Sequence, residues 1–111
     1  MFALLLQTEI QNLTSINFDN FILEKPTLLK FYSPYCSHCI RATSEIKKLA
    51  YGSELGFQIG QVDCSQNLYL CQEQLVSGYP TIVFISNGSR TLFEGKINSK
   101  SILKWVRDLL K

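Results

Sequence analysis

The chain is expected to fold as one α/β domain, a mixed central sheet with helices on both faces. Three observations carry this expectation. From Asn17 onward, short apolar runs of strand length alternate with segments of helical period, the order that builds parallel strand pairs. Two later strand-like runs flank Asn87-Gly88, the strongest short hairpin signal, so the sheet should also contain an antiparallel pair. Finally, 111 residues of 46% hydrophobic content suit a single core, so residues 1–111 are read as one domain.

Each element has its own justification. Asn17 to Leu23 sets Phe18, Phe21 and Ile22 at helical spacing. After Lys25-Pro26, Thr27 to Tyr32 is a nearly continuous apolar and aromatic run, as in a strand covered on both faces. From Cys36 to about Ala50 the stripe Cys39, Ala42, Thr43, Ile46, Leu49 and Ala50 is helical, with Gly52 as its stop. Phe57 to Val62 alternates with period two and predicts a strand. A helix over about Ser65 to Leu75, closed by Gly78, comes next. Thr81–Ile85 and Thr91–Glu94 form the hairpin, and Ile102, Trp105, Val106, Leu109 and Leu110 stripe a last helix.

Composition removes several function classes. Eleven basic and nine acidic residues are spread along the sequence, with no block marking a nucleic-acid face or an acidic-lipid patch. No apolar run approaches the roughly 20 residues of a membrane span. The apolar start, Met1 to Leu6, is shorter than a signal-peptide core of about 7–15 residues. It reads as a signal remnant, an expression scar or an ordered first strand.

The cysteines carry the chemistry. Four fall as two local pairs, Cys36/Cys39 and Cys64/Cys71, a usage that fits an oxidising compartment or a redox or metal site. Cys36-Ser37-His38-Cys39 follows an apolar strand and opens a helix. At a helix N-terminus, unpaired N–H groups and the positive dipole end stabilise a thiolate, the reactive form of cysteine. Cys39 shares the apolar stripe and should point inward, whereas Cys36 precedes the helix body and should be the exposed nucleophile. Cys36 would then attack a client disulfide and Cys39 would resolve the mixed disulfide. His38, the single histidine, is either a solvated surface residue or an aid to the Cys36 thiolate; its place inside the motif favours the second. Zinc fits poorly, because structural sites use short-spaced pairs. No metal or other cofactor is implied.

Cys64 and Cys71 are too far apart within one regular helix, about 10.5 Å of rise, to be bridged. They join only if Cys64 precedes the helix and the chain turns back; otherwise they are two buried free thiols. A disulfide there would contribute roughly 2.5 kcal/mol by loop closure. Pro80 stands just before a strand, where a missing N–H is tolerated. An open strand edge beside it would let extended peptides dock.

Phe31-Tyr32-Ser33-Pro34-Tyr35-Cys36-Ser37-His38-Cys39 resembles the active-site strand and loop of protein disulfide isomerase domains, with Ser37 where that family usually has Gly. Ser77-Gly78-Tyr79-Pro80-Thr81 resembles the family's cis-proline loop. The resemblance spans roughly Leu13 to Leu110. It implies a thioredoxin fold, a Cys36/Cys39 redox dithiol assisted by His38, and client contacts through Tyr35, Tyr79 and Pro80. It also implies a cis Tyr79-Pro80 bond and a structural Cys64–Cys71 disulfide.

Four positions depart from the family. Lys30 stands where a buried acid is usual. Either it snorkels to solvent, or it electrostatically favours a thiolate at Cys39 and slows proton-coupled turnover. Ile97 takes the approximate place of an arginine that assists reoxidation, with Lys96 and Lys100 the nearest cations. Ser44 replaces a helix-kinking proline, so the helix should run straighter. Ile40 replaces a common lysine and offers apolar contact to a peptide.

Asn12-Leu13-Thr14 and Asn87-Gly88-Ser89 fit the N-glycosylation pattern. With the cysteines, they point to the endoplasmic reticulum lumen or secretory pathway. The leading reading is a monomeric thiol–disulfide oxidoreductase or isomerase that forms, breaks or rearranges disulfides in protein or peptide clients. An upstream thiol oxidase or glutathione would be its redox partner. The alternatives are a reducing thioredoxin-like enzyme, against which His38 speaks, and a client-binding chaperone-type module with weakened catalysis, suggested by Lys30 and Ile97.

Overall fold

The structure, a computed structural model, describes residues 8–51 and 56–111. Met1 to Leu6 and the Gly52 helix stop lie outside the described residues. Chain order is β1 (Ile10–Asn12), α1 (Phe18–Glu24), β2 (Thr27–Tyr32), α2 (Ser37–Ala50), β3 (Gln58–Asp63), α3 (Leu68–Glu73), β4 (Thr81–Ser86), β5 (Ser89–Leu92) and α4 (Ser99–Leu110). The strands form one mixed sheet in the order β1-β3-β2-β4-β5. β3 pairs parallel with both β1 and β2, whereas β4 pairs antiparallel with β2 and β5.

The central position of β2 explains its sequence. With neighbours on both edges and helices on both faces, its first five residues are buried. Alternate side chains go to opposite faces. Leu29 and Phe31 join Leu13, Phe18, Val62, Leu70, Val83 and others in one core. Leu28 enters the second core, with Ile46 and Leu49 of α2 and Ile102 and Val106 of α4. Lys30 has the parity of Leu28 and so faces α2. Gly60 lets β1's end close on the sheet, since a Cβ there would meet the Leu13 side chain at 2.5 Å.

Several boundaries differ from the sequence reading, each for a local reason. β1 was not anticipated: a three-residue edge strand of mostly exposed residues leaves no apolar alternation to read. α3 is shorter at both ends. At its start, Asp63 Oδ1 accepts from the Ser65 N–H at 2.9 Å and hydroxyl at 2.6 Å, so residues 64–67 form a turn. At its end, Leu75 rather than Gly78 closes it, at φ 61°, while the Val76 N–H donates to the Cys71 carbonyl at 3.0 Å. β5 begins at Ser89, directly after Asn87 (φ 52°) and Gly88 (φ 76°), the left-handed pair of a two-residue hairpin turn. α4 gains a first turn capped by Asn98, whose Oδ1 accepts from the Ser101 N–H at 2.9 Å. Its last turn leaves Leu109 and Leu110 each 39% exposed.

Candidate active site

β2 delivers the site. Its C-terminal end releases Ser33-Pro34-Tyr35 directly into α2, and Cys36 is the N-cap, extended at φ −101° and ψ 115°. The Cys36 N–H donates to the Ser33 carbonyl at 3.2 Å, and the Cys39 N–H to the Cys36 carbonyl at 3.1 Å. The cap position puts Cys36 at the positive end of the α2 dipole, although its sulfur makes no capping hydrogen bond. One turn on, α2 presses Cys39 against the sheet, so Cys39 is 3% exposed whereas Cys36 is half-buried. Both sulfurs are free thiols. The two cysteines therefore differ in access, as a nucleophile and a resolving thiol must.

The loop before β4 completes the site from 43 residues away. The Tyr79–Pro80 peptide bond is cis. The Cys36 thiol donates to the Tyr79 carbonyl with 3.6 Å between sulfur and oxygen, and the Thr81 hydroxyl donates to the Gly78 carbonyl at 2.6 Å. Tyr35, Ile40 and Tyr79 are exposed apolar side chains around the half-buried sulfur. His38 is exposed and lies in a groove with Arg41, Ala42, Lys96 and Ile97.

The electrostatics centre on the buried pair behind Cys36. Burial pushes the Cys39 thiol up to about 11. Hydrogen bonding and charge from Cys36 act in the same direction, while the Ser33 backbone and the Lys30 charge oppose them. Lys30 does not snorkel, which corrects that reading: it is 2% exposed, and its ammonium donates to the Thr43 hydroxyl. The reason is geometric. The strand's parity points the stem at α2, and the head meets Thr43 before it reaches water. Thr43 in turn donates to the Cys39 carbonyl at 2.9 Å, and the ammonium sits 4.7 Å from the Tyr32 ring centroid. Burial takes Lys30 down to about 8; the Cys39 charge resists this and Lys47 adds to it. The first part of the second alternative for Lys30 thus has a geometry, a cation behind Cys39 that lowers the cost of its thiolate. That effect speeds resolution by Cys39 and so opposes the slower turnover in the second part.

Cys64 and Cys71 are joined by a disulfide, with their Cα atoms 5.8 Å apart. Cys64 lies before α3, so the turn at residues 64–67 supplies the fold-back the bridge needs. Among the described residues, no group of three or more His, Cys, Asp or Glu side chains is placed to hold a metal ion. Sequence reasoning missed three contributors. Thr43 was counted only as part of the apolar stripe, the Tyr79 carbonyl has no side-chain signal, and Arg41 passed for a solvated charge. A lysine inside an apolar strand, facing a helix with a hydroxyl at the matching turn, is the one clue that pointed to Thr43.

With this geometry in hand, likeness to known proteins is decisive. The thioredoxin family profile matches residues 9–108. The chain belongs to the thioredoxin family. It is 36% identical over 109 residues to a probable protein disulfide-isomerase A4 of Caenorhabditis elegans, covering 93% of this chain and 17% of that protein. Human protein disulfide-isomerase A4 is 34% identical over 101 residues, covering 87% of this chain and 16% of that protein. The chain thus spans about a sixth of the length of these relatives.

Among solved structures, the first thioredoxin domain of mouse protein disulfide-isomerase A4 superposes with a TM-score of 0.80 at 28% identity, covering 96% of this chain and 81% of that one. A J-Trx1 fragment of ERdj5 superposes with a TM-score of 0.82 at 25% identity, covering 90% and 51%. As a thioredoxin-family domain with protein disulfide isomerase relatives, the chain has the fold expected from its sequence, and its dithiol is consistent with thiol–disulfide exchange. Among the described residues, no helix is long and apolar enough to cross a membrane.

Proposed function

We propose that residues 1–111 form one thioredoxin-like domain that acts as a thiol–disulfide oxidoreductase or isomerase on protein or peptide clients. The observation that carries this reading is the access difference within the motif: Cys36 at the cap, hydrogen-bonded to the cis-proline loop, and Cys39 buried one turn behind it. The Cys36 thiolate attacks one sulfur of a client disulfide. A Cys36–client disulfide forms and the other client sulfur leaves as a thiolate that takes up a proton. Cys39 then gives up its proton and attacks the Cys36 sulfur, which releases the second client thiol and leaves a Cys36–Cys39 disulfide. Two electrons pass from the dithiol to the client; the reverse sequence oxidises a client dithiol. Isomerisation stops at the mixed disulfide: a different client thiolate attacks the client sulfur bonded to Cys36, a new client disulfide forms, and Cys36 leaves as a thiolate with no net transfer of electrons.

The remaining site residues take roles by position. His38, two residues after the nucleophile, is the group available to favour the Cys36 thiolate and thereby the reduced form. Tyr35 and Tyr79 offer apolar faces to a client, and Pro80 shapes the edge along which its backbone would run. The Cys64–Cys71 disulfide is structural. It also supports an oxidising compartment, the endoplasmic reticulum lumen or secretory pathway. A thiol oxidase or glutathione would restore the oxidised form, and the domain would act as a monomer.

A second reading draws on Cys39. A thiol pushed up to about 11 is slow to resolve a mixed disulfide, so a domain with an exposed apolar rim would hold clients longer than it turns them over. Insulin reduction by the wild type, with Cys36→Ala as control, separates the two. Turnover that vanishes in the variant supports the oxidoreductase. Absence of turnover with retained client binding supports the holding module.

A further inference from the structure

Beside the thiol motif lies a groove of about 180 Å³, of whose lining residues only His38 has a part in the exchange chemistry. α2 supplies His38, Arg41 and Ala42, which share one helix face by their i, i+3, i+4 spacing, and the β5–α4 connection supplies Lys96 and Ile97. Ala42 is fully buried and Ile97 half-buried, so the floor is apolar; the rim of His38, Arg41 and Lys96 is exposed. No carboxylate among the described residues lines the groove. Among the described residues, neither Arg41 nor Lys96 is in an ion pair. Glu45, one turn beyond Arg41, pairs with Lys48 at 2.7 Å and accepts from the Ser99 N–H at 3.0 Å, and its charge also attracts Arg41 from outside the groove. Arg41 and Lys96 still leave the groove net positive, and its rim starts within two residues of Cys36.

We propose that this groove binds a carboxylate carried by the thiol or disulfide substrate next to its reacting sulfur. This rests on the oxidoreductase reading, which puts that sulfur on Cys36. Arg41 is the planar fork suited to a carboxylate, Lys96 adds a point charge from across the groove, and Ala42 and Ile97 seat the methylenes that bear the acid. The reach is right. From Cys36 to Arg41 the helix rises about 8 Å, and an extended peptide covers about 7 Å in two residues. The carboxylate has two sources, an acidic residue flanking a client cysteine or the terminal carboxylates of glutathione.

The test compares disulfide peptides that differ only in Glu or Gln two residues from the cysteine, together with glutathione disulfide, on the wild type and on Arg41→Gln/Lys96→Gln. Two exposed charge contacts predict that kcat/KM for the Glu peptide exceeds that for the Gln peptide by about three- to tenfold at low salt. The preference should shrink in high salt. In the double variant the preference falls towards one, or glutathione disulfide turnover falls by a similar factor; which substrate loses identifies the source. A Glu/Gln ratio near one in the wild type with glutathione unaffected by the double substitution overturns the proposal.

An NMR titration with the same peptides, serine replacing cysteine, keeps the two claims separate. If Glu-dependent shifts appear at Arg41 and Lys96 while no disulfide is reduced, the groove stands and the oxidoreductase reading falls. If disulfides are reduced but neither charge preference nor Glu-dependent shifts appear, and the double substitution leaves glutathione disulfide turnover unchanged, the groove falls alone.

Discussion

At the scale of single residues, Lys30 shapes the account more than any other side chain. It is a buried ammonium with no carboxylate partner among the described ion pairs, held by Thr43 behind Cys39. A depression from 10.5 to about 8 corresponds to at most roughly 3 kcal/mol against folding at neutral pH. Lys30→Met keeps the stem and removes the charge. It should therefore raise the unfolding free energy by about 1–3 kcal/mol in urea melts. The same change removes a cation that favours the Cys39 thiolate, so resolution of a trapped mixed disulfide at pH 7 should slow about three- to tenfold in stopped flow. Opposite signs in the two readouts are the expected signature; a variant that loses stability and keeps its rate contradicts it. The pH dependence has a definite direction too. Between about pH 8 and 10.5 the unfolded chain keeps the Lys30 proton that the folded chain has released, so stability rises with pH across that window. Cys39, raised from 9.0 to about 11, acts oppositely from pH 9 upward, because the folded thiol keeps a proton the unfolded one loses. In the reduced protein, urea midpoints should rise from pH 7.5 to 9 and then level; a fall below pH 9 counts against the Lys30 assignment, and a continued rise above it counts against that of Cys39. That Cys36 is the more accessible cysteine of the pair was legible from the motif's place before a helix. The buried state of Lys30 was not, because a lysine in an apolar strand reads equally as a stem reaching water until the facing helix is known.

At the scale of elements, α3 shows where local chemistry overrides periodicity. The helix pattern extended from Ser65 to Leu75, yet the Asp63 turn and the disulfide confine regular structure to Leu68–Glu73. Leu75 closes the helix in the left-handed region while 79% exposed, so it accepts backbone strain with little burial in return. Leu75→Gly should stabilise the domain by about 0.5–1 kcal/mol, read from the urea midpoint. No change, or a loss, would contradict the strain assigned to Leu75. The eight-residue loop closed by Cys64 and Cys71 limits the unfolded chain, so Cys64→Ala/Cys71→Ala should cost roughly 2–3 kcal/mol in the same melts. Exchange at Cys36 should survive under conditions where the variant is folded. Loss of turnover in a folded variant would give the second pair a catalytic part. α2 was the most legible element, because a wide apolar stripe fixes both its length and the inward turn of Cys39. β1 was illegible for the converse reason: three edge residues are held by pairing with β3 rather than by any apolar pattern.

At the scale of the whole molecule, the sheet order explains how a short chain assembles a site from distant parts. β2 lies at the centre, between a parallel and an antiparallel neighbour, so its C-terminal end is flanked by the entry to β4. The cysteines enter from β2 and the Tyr79–Pro80 turn from β4, and the sheet register brings them together at the Cys36 sulfur. The architecture was readable from strand–helix alternation and Asn87-Gly88. The meeting of the two loops was not, since pairing partners depend on a register that no single strand encodes. The central claim is that Cys36 attacks and Cys39 resolves. The most direct test is mass spectrometry of Cys39→Ala and Cys36→Ala after each is mixed with a peptide disulfide at pH 7.5. Cys39→Ala should accumulate a persistent adduct whose mass and fragmentation place the peptide on Cys36, while Cys36→Ala stays free of adduct. An adduct on Cys39 in the second variant, or none on Cys36 in the first, would contradict the account.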